Sequence, residues 1–156
     1  MDLDNNVLSM SNPLLRTFMF YGAILLLKMI AMSFWTAFHR IKNKSFANTE
    51  DARGADPTGK KGLVPRMNDE DVERVRRAHL NDMENIYLFL ILGFFYVCTG
   101  PCVVRTTLLF RVFTGARVLH SLVYVNAVRQ PARGLCYLVG QIVNIYMAVI
   151  VIRSLM

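Results

Sequence analysis

The sequence is short of charge and short of cysteine, and each shortage excludes a class of protein. Only 19% of its 156 residues are Asp, Glu, Lys or Arg and the mean hydropathy is positive, which argues against a disordered or fibrous chain. Three cysteines, Cys98, Cys102 and Cys136, cannot all pair and form no CxxC or Cys/His spacing, so neither a disulfide scaffold nor a zinc module is expected. The GxGxxG, P-loop and HExxH motifs are also absent.

Long apolar runs make up most of the chain. They cover residues 17–38 and about 83–104, 106–128 and 134–152, and the later ones are separated at Gly100-Pro101 and at Gln130-Pro131. About 20 apolar residues in a helix cross the roughly 30 Å hydrocarbon core of a bilayer. The sequence therefore predicts an all-α integral membrane protein, a four-helix up-and-down bundle in a single domain 1–156. The expected spans are about 14–39, 72–100, 104–128 and 132–153, and the loop between the first two is 40–71.

The distribution of charge predicts how the bundle is oriented. Residues 40–79 hold ten of the 18 Lys/Arg residues together with seven of the 11 Asp/Glu residues. Basic loops stay on the cytosolic side during insertion, so the large loop should be cytosolic and both termini should lie on the other side. Within this loop, residues 53–66 are rich in Gly, Pro and Lys and are expected to be flexible, whereas acidic residues 69–71 predict a helix that begins near residue 70. The net charge of +7 fits loops beside anionic lipid and gives no case for nucleic acid.

Polar side chains recur at helical spacing on three of the predicted spans. These stripes are Arg74, Arg77, Asn81 and Glu84; Arg117, His120, Ser121 and Tyr124; and Arg133, Tyr137 and Gln141. An arginine at the centre of a span costs about 2.5–3.5 kcal/mol, so these groups must be paired or face water or protein. Glu84 is the expected partner of the third-helix arginines. Lys28, alone in the first span, is explained by snorkelling or by one interhelical hydrogen bond and is given no function.

The stripes have two explanations. Arg–Glu pairs could serve only to lock the bundle together. However, clustered Arg and Tyr with one Glu and one Asn also form a pocket for a small polar anion that carries an amine, because guanidinium groups bind carboxylates and Glu binds an ammonium. A charged peptide-like cofactor fits that pocket, and the bilayer would supply an apolar second substrate.

Four segments give the sequence a family resemblance. They are FANTEDA at 46–52, VERVRRAHLNDMENIY at 72–87, GARVLHSLVY at 115–124 and QPARGLCY at 130–137. They resemble the membrane-associated proteins in eicosanoid and glutathione metabolism, in the branch that contains microsomal glutathione transferase and microsomal prostaglandin E synthase. The resemblance implies a homotrimer in the endoplasmic reticulum or outer mitochondrial membrane, with glutathione bound between subunits near the cytosolic side.

The resemblance also implies roles for individual residues. Arg133 matches the arginine that holds the glutathione sulfur as a thiolate, and it is the predicted catalytic residue. Asp51 and Arg74 are given supporting roles, and no metal ligand is predicted. The predicted glutathione contacts are Arg40, Arg77, Asn81, Glu84, Arg117, His120, Tyr124 and Tyr137.

Two departures bear on the reaction. The synthase has a serine where this chain has Gly134, and an arginine where this chain has Leu80. Both favour a glutathione transferase that conjugates hydrophobic electrophiles and also reduces lipid hydroperoxides. The alternatives are a glutathione-dependent prostaglandin E synthase and a non-catalytic lipid-binding scaffold of the same fold. A transporter or channel is disfavoured because the halves of the spans remote from the loop look apolar.

Overall fold

The computed structural model describes residues 8–156, and every regular element in that range is a helix. The helices are α1 (Pro13–Lys42), α2 (Thr49–Ala55), α3 (Glu70–Cys98), α4 (Val103–Val125) and α5 (Ala132–Leu155). All except α2 are long and apolar enough to cross a membrane. The predicted all-α membrane architecture with four spanning helices is therefore confirmed.

Local sequence explains where the long helices begin. The side chain of Asn12 accepts a hydrogen bond from the Leu14 backbone N–H, and Pro13 occupies the first turn of α1, where no N–H is needed. Asp69 caps α3 in the same way, accepting from the Val72 N–H at 3.1 Å, and acidic residues follow in the first turn. The predicted helix start near residue 70 is confirmed.

The short helix α2 was not predicted. It lies in the loop between α1 and α3. Its first turn contains Glu50 and Asp51, whose negative charges stabilise the helix by interacting with the positive end of its dipole. It overlaps the start of segment 53–66, which the Gly, Pro and Lys content had led us to expect as flexible chain. After α2 the backbone turns at Gly59 and Gly62, both with positive φ, where glycine is free of the strain that a side chain would cause.

Helices α3 and α4 form the centre of the bundle, and each packs against the other and against both α1 and α5. The core between them is aromatic: the rings of Phe89 and Phe113 stack 4.0 Å apart, and Phe110 meets Phe89 edge-on at 5.1 Å. Large apolar side chains on the outside of the bundle, such as Phe34 and Ile145, are exposed, as lipid-facing residues are.

One end of the bundle collects the polar elements. Because the helices alternate in direction, the C-termini of α1 and α4 and the N-termini of α3 and α5 meet at the end that carries α2 and its flanking chain. We call this the loop end. A hydrogen bond of 2.9 Å from the Asn43 side chain to Asp69 joins α1 to α3 there.

Candidate functional site

A cleft of about 330 Å³ opens at the loop end, between α3, α4 and α5. We refer to it as the cleft. The residues that line it are Asn81, His120, Tyr124, Gln130, Arg133, Gly134 and Tyr137. Five of them are predicted site residues, namely Asn81, His120, Tyr124, Arg133 and Tyr137. The structure thus brings together residues from all three polar stripes.

Arg133 is a cleft cation that forms no ion pair with any carboxylate in the described part of the chain. It lies in the first turn of α5, and its guanidinium carbon is 4.8 Å from the centre of the Tyr124 ring, a cation–π geometry. Its Nε is buried and has no hydrogen-bond partner within residues 8–156. The positive end of the α5 dipole adds to the guanidinium charge at this point. The Tyr124 ring thus fixes the position of a positive charge, and the Arg133 guanidinium has at least one N–H donor that no described residue uses.

Arg117 lies beneath the cleft and is fully buried. Its Nη2 contacts Asn81 Oδ1 at 2.6 Å, Asp82 Oδ1 at 3.1 Å and His120 Nδ1 at 3.2 Å. Arg117 therefore supports two of the cleft residues from behind. The expectation that its acidic partner is Glu84 is wrong, because Asp82 occupies that position, one residue beyond Asn81 and on the buried side of α3.

Asp82 is a residue that the sequence analysis missed, and its partner Lys28 is one to which that analysis gave no function. The Lys28 ammonium forms an ion pair with Asp82 Oδ2 and contacts Ser121 Oγ at 2.6 Å, while Ser121 Oγ donates to Asp82 Oδ2 at 2.9 Å. Lys28 does not snorkel; the interhelical hydrogen bond offered as its other explanation is present and is part of a larger set. We call Lys28, Asp82, Arg117 and Ser121 the buried ion cluster.

The remaining stripe residues of α3 lie beside the cleft. Arg77 and Glu84 flank Asn81 by about one turn on either side and are exposed. Arg77 and Arg74 line a separate surface hollow of about 590 Å³, and the Arg74 guanidinium pairs with Asp71 at 2.7 Å. Their roles as glutathione contacts or supports stay predictions.

Two further predicted residues lie away from the cleft in the single chain. Arg40, near the end of α1, lines a small hollow of about 50 Å³ with Arg66 and Arg76. Asp51 is exposed on α2 and accepts a hydrogen bond of 3.2 Å from the Asn48 side chain. Both roles stay predictions.

Gln130 is a cleft residue that no stripe contains. Its Oε1 accepts a hydrogen bond of 3.2 Å from the Gly134 backbone N–H, which satisfies one of the free donors at the start of α5. Gln141, the third member of the α5 stripe, instead donates to Asn85 at 2.5 Å and joins α5 to α3 below the cleft.

Fold and cleft together define the class: a multi-pass helical membrane protein with a cationic, donor-rich cleft at one end of the bundle. A family model described as the MAPEG family matches residues 18–153. The chain belongs to the MAPEG family, which confirms the resemblance drawn from its sequence motifs.

Individual relatives agree with this assignment. The chain is 46% identical to microsomal glutathione S-transferase 1 of Mus musculus and 44% identical to that of Homo sapiens, in each case over 93% of both chains. It is also 40% identical to prostaglandin E synthase of Bos taurus, over 85% of this chain and 84% of the relative.

Proposed function

We propose that this protein is a membrane-bound glutathione transferase that conjugates the glutathione thiolate to hydrophobic electrophiles. The observation that carries the proposal is the cleft, in which Arg133 lies over Tyr124 beside Asn81 and His120. The similarity to microsomal glutathione S-transferase 1 over 93% of the chain supports the same activity. The four spanning helices would give a lipid-soluble electrophile access to the site from the bilayer.

The residues present fit glutathione chemically. Glutathione carries two carboxylates and two amide carbonyl oxygens, all of which accept hydrogen bonds. Arginine donates and never accepts, and the amide of Asn81 and the ring of His120 have donors as well. The unpartnered, buried Nε of Arg133 matches an anionic ligand group that would complete its hydrogen bonding.

Arg133 would hold the sulfur as its anion. A free thiol with a pKa near 8.5 is only about 3% ionised at pH 7, and the thiolate is the nucleophile. Lowering that pKa by two units stabilises the thiolate by about 2.7 kcal/mol and makes it the major form. A guanidinium at the start of α5 supplies this stabilisation with charge and helix dipole acting together.

Two reactions follow from a bound thiolate. Attack on an aryl halide forms a carbon–sulfur bond and releases halide ion. Attack on a lipid hydroperoxide transfers one oxygen to sulfur and releases the lipid alcohol; a second glutathione then forms the disulfide and water is released. Conjugation is the proposed main activity and hydroperoxide reduction the second.

The test is glutathione conjugation of an aryl halide by the purified protein in detergent. Arg133→Ala should lower kcat/KM by about 100-fold or more, the scale seen when a preorganised charge is removed from a reacting anion. Arg133→Lys should retain part of the activity. The matched control is Arg76→Ala, because Arg76 is an exposed α3 arginine that pairs with Glu73. Full turnover in folded Arg133→Ala would remove Arg133 from the mechanism.

A second candidate function is the prostaglandin E synthesis named in the relatives that are 39–40% identical. Gly134 offers no hydroxyl next to Arg133, and its backbone N–H is already bonded to Gln130. We therefore expect prostaglandin E formation to be slow beside conjugation. Product analysis with the prostaglandin endoperoxide and glutathione separates the two activities.

We also propose a homotrimer in the endoplasmic reticulum membrane, with the outer mitochondrial membrane as a second location and the loop end facing the cytosol. In a trimer a neighbouring subunit would cover the exposed stripe that includes Arg77 and Glu84, and these residues would then meet glutathione. Native mass spectrometry should find three 17.8 kDa chains. A fully active monomer would contradict this assembly.

A further inference from the structure

The contacts of Arg117 determine which hydrogen-bonding groups the cleft offers. A guanidinium has only donors, so each group it touches must present an acceptor. His120 faces Arg117 Nη2 through Nδ1 at 3.2 Å, and the two Nη2 hydrogens are shared among His120, Asn81 and Asp82; a neutral imidazole that carries its proton on Nε2 fits this contact, because its Nδ1 can accept. Asn81 meets the same nitrogen through its carbonyl Oδ1 at 2.6 Å, so its NH₂ group is left over.

Two cleft residues are thereby set as donors toward a ligand. His120 has an Nε2–H to offer, and Asn81 has its amide hydrogens. With the Arg133 guanidinium, three of the residues that line the cleft then present donors. If Arg117 moved away, the Asn81 amide could rotate and the His120 tautomer could switch, and either change would replace a donor by an acceptor.

Asp82 is the group that holds Arg117 in place. Its Oδ1 accepts from Arg117, while its Oδ2 is fixed by Lys28 of α1 and Ser121 of α4. The side chain is fully buried. Since the carboxylate is held from α1 and α4 at once, the position of Arg117 relative to α3 depends on it.

The charge of the buried ion cluster also favours a ligand that accepts hydrogen bonds. Lys28 and Arg117 are cationic and Asp82 is the single anion among them, so the cluster has a net charge of about +1 beneath the cleft. Arg117 Nε and Nη1 are buried and have no partner within residues 8–156. A surplus cation under a donor-lined cleft favours an anionic ligand and disfavours a cationic one.

We propose that Asp82, held by Lys28 and Ser121, is a positioning residue for the glutathione site: through Arg117 it fixes Asn81 and His120 as hydrogen-bond donors. The proposal rests on the proposed function for the identity of the ligand. It goes beyond that function by giving a role in glutathione binding to Asp82 and Lys28, neither of which lines the cleft.

The direct test is the tautomer of His120 in the wild-type fold, which requires no loss of stability and no ligand. In protein with His39→Gln and His79→Gln, the nitrogen NMR shifts of the remaining imidazole should show Nε2 protonated and Nδ1 bare at neutral pH. A ring protonated on Nδ1, or on both nitrogens, would overturn the proposal. This result stands whether or not the protein uses glutathione.

The second test is Asp82→Asn, with Glu73→Gln as a control that removes a partly exposed carboxylate from the same helix. Asp82→Asn should mix the two His120 tautomers and raise KM for glutathione about tenfold, the effect of losing roughly 1.4 kcal/mol of charge-assisted hydrogen bonding, with kcat changed much less. Glu73→Gln should change neither. A lower melting temperature with an unchanged KM and tautomer would show that Asp82 is only structural.

The double variant Lys28→Met with Asp82→Asn separates positioning from stability. Replacing both members of a buried ion pair removes the unpaired Lys28 charge, so much of the stability lost in Asp82→Asn should return. KM should stay raised, because nothing anchors Arg117. Recovery of KM together with stability would overturn the proposal, whereas absence of any glutathione turnover in the wild type would contradict the proposed function alone.

Discussion

Tyr124 presents its ring face to Arg133, and this contact should be measurable by itself. Tyr124→Phe keeps the face, whereas Tyr124→Leu removes it. A cation–π contact is worth about 0.5–2 kcal/mol, so Tyr124→Leu should lower kcat/KM for conjugation by about 3- to 30-fold while Tyr124→Phe stays close to wild type. Equal losses in both variants would indicate that the hydroxyl, not the ring face, serves the site.

At the residue scale, the sequence revealed the residues that line the cleft but not the buried ion cluster beneath it. Asn81, His120, Tyr124, Arg133 and Tyr137 drew attention because polar groups at helical spacing are unusual in a membrane span, and the family resemblance implied their roles in a glutathione site. Asp82 was missed because it lies about 100° around α3 from the Asn81 stripe. A signal was available: Asp82 and Glu84 are the only acids after residue 73, and the cations of the spans needed one of them. Choosing between the two required knowing which face of α3 is buried.

At the scale of single elements, the cap of α3 predicts a pH dependence of stability. The Asn43 side-chain amide and the Val72 N–H lower the pKa of the Asp69 carboxyl. The ionised form is favoured in the folded state, so its stabilisation is complete above about pH 4 and is lost as the pH falls through the lowered pKa. In melting experiments, Asp69→Ala should cost about 0.5–2 kcal/mol at neutral pH.

Asp69→Asn is the matched control, because asparagine caps helices well but does not titrate. It should keep most of the stability at neutral pH and abolish the contribution of this position to acid destabilisation. An acid transition identical in wild type and Asp69→Asn would contradict this assignment.

Helix α5 approaches α4 closely at Gly140, about two turns along α5 from Arg133. A Cβ there would lie 3.5 Å from the Phe113 ring and 3.6 Å from Arg117 Cδ, an ordinary contact that Gly140→Ala should satisfy. Gly140→Val adds two methyl groups with no space, so it should lower stability by about 1–3 kcal/mol and raise KM for glutathione. Thermal unfolding and steady-state kinetics on both variants test this; a harmless valine would show that the helices move apart freely.

Helix α2 marks the limit of prediction at this scale. The spanning helices are long and uniformly apolar, so composition alone reveals them. Seven residues with one buried alanine contain too little periodicity to be recognised, and the glycine of Arg53-Gly54 lowers helix propensity further. The pair Glu50 and Asp51 after Asn48 was a signal for the start of this helix. Where the helix ends depends on contacts with the rest of the protein, which a local sequence pattern does not contain.

For the whole molecule, orientation in the membrane is testable with single cysteines. Cys102 is exposed in the turn before α4, and the backbone N–H groups of Arg105 and Val104 lower the pKa of its thiol, which favours the reactive thiolate. Two proteins with one cysteine each are compared, one with Cys102 and one with Lys60→Cys, and every other cysteine is replaced by serine. In intact microsomes, an impermeant maleimide should label the Lys60→Cys protein but not the Cys102 protein. Permeabilised vesicles should label both, and the reverse pattern in intact vesicles would place the loop end in the lumen.

Subunit assembly is the property least accessible from one sequence. The apolar side chains that face outward, such as Leu119 and Ile142, are equally suited to lipid and to a neighbouring helix. The expectation of a trimer therefore came from family resemblance and not from any pattern in the chain.

The ion pair of Lys28 also constrains the biogenesis of the protein. Helices enter the membrane in the order of their synthesis, and Lys28 sits 54 residues ahead of Asp82. During that interval α1 must remain in the bilayer with an unneutralised ammonium near its middle, at a cost of about 2.5–3.5 kcal/mol. The most apolar 18-residue stretch of α1 has a mean hydropathy of 1.7, and this offsets the charge. A nascent chain interrupted before α3 would contain an unpaired cation, Lys28, within the membrane. The Lys28 charge is neutralised only when α3 is inserted and supplies Asp82.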